Sequence, residues 1–178
     1  MTVVLRDAYG LPITTASRVA VDHYDRGVRA LLGFGAEAIP DFRQAVAADP
    51  EFVLAAAALA VSLYLDEQIP AARAAMEQAT ALGAAQASTL TVRERRHLDA
   101  LGLFVGGRSN ETIALMKAIL AEHPRDMVLM QRLYYIFFWQ GRSAEMLELT
   151  HAVLPALAED GFAWGYHAFA LEENGRYD

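Results

Sequence analysis

The feature that most restricts this chain is a repeated stop. Gly107-Arg108-Ser109, Gly141-Arg142-Ser143 and Gly175-Arg176-Tyr177 follow one another at a single fixed interval, from 107 to 141 to 175. Upstream, Ala38, Phe42 and Ala45 recur at the same interval as Ala72, Met76 and Ala79. A glycine at a fixed place offers the positive φ that ends a helix and that other residues resist. Small residues let two helices approach, while Phe42 or Met76 fills the space between them. Gly33 occupies the corresponding stop further upstream, and Pro50 follows Gly33 at half the repeat interval, as Pro124 follows Gly107, where a second helix must end. An alanine-rich chain matches alanines by chance easily, but a shared register of glycine and proline is much harder to obtain that way.

Between these stops, apolar residues keep helical spacing nearly throughout, without β-branched alternation or Asn-Gly hairpin turns. The pattern predicts nine helices and no sheet, over 17–32, 36–48, 52–65, 70–82, 92–105, 109–122, 126–140, 143–157 and 161–174. Short turns between four-turn helices imply stacked helical hairpins, and the step from Gly107 to Gly141 equals the tetratricopeptide period. The expected fold is therefore all-α, a tetratricopeptide-type α-α superhelix of about four and a half repeats. It is read as one domain over 1–178 with an N-terminal extension over 1–16. The repeats fall at 19–52, 53–86, 93–126 and 127–160, with a short insertion, 87–92, after the second. Ala84 replaces a proline, and Pro155 should stop or kink the eighth helix. A fifth repeat contributes only its first helix, so the sequence reads as truncated. Trp164 and Leu171 would then lack a cover, and the chain is expected to fray or self-associate through that open repeat.

Composition narrows the function. A net charge of -7 and a pI near 5.2 oppose electrostatic binding to nucleic acid or anionic lipid. Without cysteine there is no disulfide framework or thiolate metal site, and cytoplasmic residence is the default expectation. Residues 1–5 do not resemble a signal peptide, and the apolar run over 52–65 is shorter than a membrane span and broken by Ser62.

Asp7-x-x-Gly10-x-Pro12-x-x-Thr15-x-Ser17, Ala48-Asp49-Pro50-x-Phe52, Arg93-Glu94-x-x-His97 and His123-Pro124-x-Asp126 give the chain a narrower resemblance. It resembles the tetratricopeptide repeat protein 38-like family over most of its length, though members of that family are more than twice as long. The resemblance carries no activity with it. Tetratricopeptide folds in general imply that the first helix of each hairpin lines a concave groove, with repeat positions 2, 5, 9 and 12 facing inward. Transferred to this chain, those positions give groove-binding candidates His23, Tyr64, His97, Leu101, Phe104, Gln131, Tyr135, Phe138 and Phe169, with Glu94 and Glu172 as further polar points. Helical spacing does place His97, Leu101 and Phe104 on one face. The implied groove is apolar and aromatic, suited to a protein segment or peptide, or to an apolar small molecule. A clamp for acidic peptide tails needs inward Lys, Arg or Asn, and none of these occupies the inward positions.

No catalytic constellation emerges. His23, His97, His123, His151 and His167 lack metal-ligand spacing, so no metal or cofactor is expected. Glu94 and His97 are spaced as an acid/base couple, but the commoner meaning of such an i, i+3 pair is a surface ion pair. Arg93-Glu94-Arg95-Arg96 reads as contacts to carboxylates of a neighbouring helix rather than a nucleic-acid footprint. Ser109 and Ser143 follow their glycines as helix caps. The expectation is a non-enzymatic scaffold. The alternative is an enzyme or metal protein whose pocket is completed by further C-terminal repeats.

Overall fold

The computed structural model describes residues 5–177; residues 1–4 of the expected extension, with the reading of them as lacking a targeting signal, and Asp178 lie outside these. Among the described residues are nine α-helices: α1 (Arg18–Leu32), α2 (Ala38–Ala48), α3 (Val53–Leu65), α4 (Ile69–Ala85), α5 (Val92–Val105), α6 (Ser109–Glu122), α7 (Met127–Trp139), α8 (Ser143–Val153) and α9 (Gly161–Glu173). Two compact units divide after Thr112, inside α6. Side-chain caps start several of the helices. Ser17 accepts from the Ala20 N–H at 3.2 Å and Asp160 from that of Ala163 at 2.8 Å, while Thr91 and Glu94 form a reciprocal capping box on α5. As expected, α8 stops at Val153, and Pro155 lies in a single 3-10 turn, Leu154–Ala156.

The repeat is written into burial. Ala38, Phe42 and Ala45, then Ala72, Met76 and Ala79, are buried, and so are their counterparts Thr112, Met116 and Ile119, then Met146, Thr150 and Val153. The repeat interval, lengthened once by the inserted 87–92, therefore sets which side chains are interior in the second helix of each repeat, and the fold is an all-α helical repeat of tetratricopeptide type.

The stops behave less uniformly. Gly107, Gly141 and Gly175 take φ of 73°, 67° and 69°, whereas Gly33 sits at -95° and Phe34 beside it takes 56°. Gly33 serves as the C-cap of α1, its N–H bonded to Arg29 O, so the left-handed residue comes one place later. In the second hairpin the left-handed residue is Glu67, at φ 60°.

In the first unit, α3 packs against α1, α2, α4 and α5, which explains an alanine-rich helix that is apolar on every side. Tyr24 stacks on Phe42 and Phe52, with ring centroids 5.8 and 5.1 Å apart. In the second unit, α8 packs against α7 and α9, and Leu133, Tyr134 and Phe137 of α7 are fully buried.

The expectation of no sheet fails at the N-terminal extension. Strand β1 (Leu5–Arg6) pairs antiparallel with β2 (Pro12–Ile13). The Asp7 side chain accepts from the Tyr9 and Leu11 N–H groups at 3.0 and 2.9 Å, and Gly10 closes the turn at φ 77°. Two-residue strands are too short for alternation to reveal them.

Candidate ligand-binding surface

Several of the residues that carried the family resemblance, Asp49, Arg93 and Glu94 among them, lie in the first unit and fasten the N-terminal hairpin; His123-Pro124-x-Asp126 lies in the second. Glu94 is fully buried. Its carboxylate accepts from Thr14 N at 2.6 Å and Thr14 Oγ1 at 2.7 Å, and from Thr91 N and Oγ1 at 2.9 and 2.8 Å. Arg93 Nη2 donates to Pro12 O at 2.8 Å, and Thr15 Oγ1 donates to Asp49 Oδ2. Ala8 N donates to Asp25 Oδ1 at 2.9 Å, tying the turn to α1. An acid/base role for Glu94 with His97 does not fit this geometry, because the Glu94 oxygens are committed to four donors. His97 is buried as well. Arg95, expected on a carboxylate, instead donates Nη1 to the carbonyls of Ala87 and Leu90 at 2.9 and 2.5 Å, closing the inserted segment.

The sequence-derived groove positions of this unit separate by hairpin. In α1, His23 turns to α2, with Nδ1 3.2 Å from Asp41 Oδ1, and a Cβ on Gly27 would lie 2.7 Å from the Phe42 ring. His23 therefore faces the hairpin's own second helix, as Gly27 one turn later also does. Leu101 is fully buried. Tyr64 and Phe104 are half-buried and meet edge to face, with centroids 5.2 Å apart.

The second unit gathers the richest constellation. Tyr135 meets Phe138 at 6.2 Å, and Phe138 meets Phe169 at 5.6 Å; all three are half-buried. Trp139 adjoins Phe138 at 5.2 Å and is 81% exposed. Inward from this row, Tyr135 meets Tyr166 at 6.0 Å and Tyr166 meets Tyr134 at 5.0 Å. Gln131 is buried: its Nε2 donates to Tyr166 Oη at 2.7 Å and its Oε1 accepts from Arg132 Nη2 at 2.6 Å. Tyr134 Oη donates to Tyr166 O at 2.9 Å. Desolvation raises the Tyr134, Tyr135 and Tyr166 hydroxyls above the usual phenol range, so all three remain protonated donors at neutral pH.

The sequence reading missed Arg132. It follows Gln131, which the resemblance gave as a groove position, and is 3% exposed. Its guanidinium carbon stands 5.8 Å from the centre of the Tyr135 ring. No composition or spacing signal distinguishes such an arginine from its surface counterparts.

At the far side of α8, Thr150 Oγ1 and His167 Nδ1 lie 2.9 Å apart, and the rings of His151 and His167 are 5.2 Å apart. Among the described residues no group of three or more His, Cys, Asp or Glu side chains is placed to hold a metal ion. Trp164, 51% exposed, donates its indole N–H to Ala158 O at 2.7 Å, and Leu171 is half-buried.

No family model matches the chain. Among solved structures it is similar to a Podosopora anserina kinesin light chain with nearly identical TPR-like repeats, at 19% identity over 88% of this chain and 87% of that one, with a TM-score of 0.45. It is similar also to MamA of AMB-1, at 18% identity over 89% of this chain and 84% of that one, with a TM-score of 0.43.

Proposed function

We propose that the chain is a helical-repeat scaffold of the tetratricopeptide repeat protein 38-like family, which binds a protein segment or an apolar ligand and catalyses no reaction of its own. The observation that supports this reading is the row Trp139, Phe138, Tyr135 and Phe169. These rings touch one another yet stay open to solvent, where burial of each would stabilise the chain by about 1.5 to 3 kcal/mol. Aromatic rings retained at a surface in contact with one another present large rigid areas to a partner at small entropic cost. Among the described residues no helix is long and apolar enough to cross a membrane.

The two tryptophans make the test direct. In a Trp164→Phe background, Trp139 reports on the row alone, and peptides selected by display against the protein are titrated by its fluorescence. Phe138→Ala with Phe169→Ala should weaken binding by about tenfold or more while the melting temperature stays within a few degrees. Selected peptides that bind the double variant as well as they bind the parent would show that the row is not the recognition surface.

A further inference from the structure

Arg132 is a costly side chain to bury. It is a cation almost wholly withdrawn from water, and burial pushes its guanidinium down to about 10, so it remains charged at neutral pH. Among the described residues no carboxylate lies within ion-pair distance of it. The titratable groups near enough to act on it are Tyr166 and Tyr135, both of which stay protonated and uncharged at neutral pH. Its Nη2 is held by Gln131 Oε1, its face by the Tyr135 ring, and its Nε has no hydrogen-bond partner. Buried charges are ordinarily paired, because an unpaired one forfeits its hydration without return. A guanidinium offers a planar fork that matches one carboxylate, and the Tyr166 hydroxyl, which accepts from Gln131 Nε2 and is hydrogen-bonded to that of Tyr135, completes the polar cluster at the inner end of the ring row.

We propose that Arg132, Gln131, Tyr135 and Tyr166 form a binding site for the carboxylate head of a small amphiphilic acid, whose apolar body lies along Phe138 and Phe169. A single buried guanidinium suits a monoanion better than a phosphate or a run of acidic side chains. Tyr135 covers the guanidinium and is itself half-exposed, which makes its ring the group that moves aside on entry. The position of the head fixes the direction of the body, since the ring row runs from Tyr135 to Phe138 and on to Phe169. This site rests on the reading of the aromatic row as a ligand surface and supplies the chemistry of the ligand.

The test compares charged and uncharged probes of equal length, octanoate with octanol and phenylbutyrate with phenylbutanol, titrated by calorimetry at neutral pH. Each acid should bind about ten- to a hundredfold more tightly than its alcohol, the value of a charge-assisted hydrogen-bonded pair. Arg132→Met should bring the acid to the affinity of the alcohol, and Phe138→Ala should weaken both probes together. The same Arg132→Met protein should melt at or above the wild-type temperature, because it exchanges a desolvated cation for an apolar side chain of similar reach. Arg132→Lys keeps the charge without the fork and should retain only part of the discrimination. If acids and alcohols bind equally, the aromatic surface stands and the carboxylate site falls. If neither binds, the carboxylate site falls, and the peptide titration with Trp139 decides the aromatic row separately. A lowered melting temperature for Arg132→Met with unchanged preference for the acids would make Arg132 a structural cation and overturn the proposal.

Discussion

At the scale of single residues, backbone conformation separates positions that look alike in the sequence. Glu67 takes the same left-handed turn conformation that glycine takes at Gly141, and a Cβ there costs about 1 kcal/mol. Glu67→Gly should therefore stabilise the protein by about 1 kcal/mol and Gly141→Ala should destabilise it by a similar amount, both measured by urea denaturation. Helix-interior glycines obey a different rule. Gly27→Ala gains about 1 kcal/mol of helix propensity but drives a methyl to 2.7 Å from the fully buried Phe42 ring, so a net loss of about 1 to 2 kcal/mol is expected. At Gly83 the obstructing atom is the terminal Cδ2 of Leu98, which can rotate, and Gly83→Ala should cost less than Gly27→Ala. His167 makes stability depend on pH. Burial first, and then the neighbouring His151, holds its imidazole below the usual histidine range. Above a pH of about 6.5 it is neutral in both folded and unfolded chains and contributes nothing. As the pH falls through that value the unfolded chain takes up a proton first, so stability declines until the folded form protonates too. His167→Gln should remove this part of the slope between pH 7.5 and pH 5 in denaturant titrations.

At the scale of elements, the N-terminal hairpin depends on a residue far along the chain, Glu94 on α5. Glu94→Gln replaces part of an acceptor by an amide N–H facing the Thr14 and Thr91 donors, at a cost of about 3 kcal/mol. Amide exchange should show the β1–β2 segment losing protection first, with α7 to α9 unchanged. The helices themselves were legible in the sequence because their signals are local: α5 and α6 begin and end at the expected residues, and Pro155 ends α8 as its ring requires. The hairpin was not legible, because two-residue strands have no periodicity and their register is set by Asp7, Gly10 and contacts to α5. The turn after α1 was misjudged by one residue, since sequence shows that a glycine is present but not that Gly33 is used as a cap. Tyr135, Phe138 and Phe169 were named only through the tetratricopeptide resemblance, and Trp139 beside them was not named at all. Arg132 was not legible, because only packing distinguishes a buried arginine from an exposed one.

At the scale of the whole molecule, acidity governs the encounters the chain can have. With a net charge of -7, it should show no retention by duplex DNA or anionic vesicles at physiological salt, checked by co-sedimentation. Appreciable retention that falls steeply with salt would reveal a basic face hidden in the average. The interior follows a second global rule. Phe42, Met76, Met116 and Thr150 occupy one place in four successive hairpins, all buried. Interior sites that recur once in every repeat make the size of such a fold a countable quantity. A gain or loss of one whole repeat exchanges one set of interior neighbours for an equivalent set, whereas a change of any other length inside a hairpin turns the wrong face of a helix inward. The insertion at 87–92 is admitted because it falls between two hairpins, where the next helix restarts the count at its own capping box. A lineage of such proteins is free to grow or shrink by whole hairpins, and indels within a helix are where it meets selection.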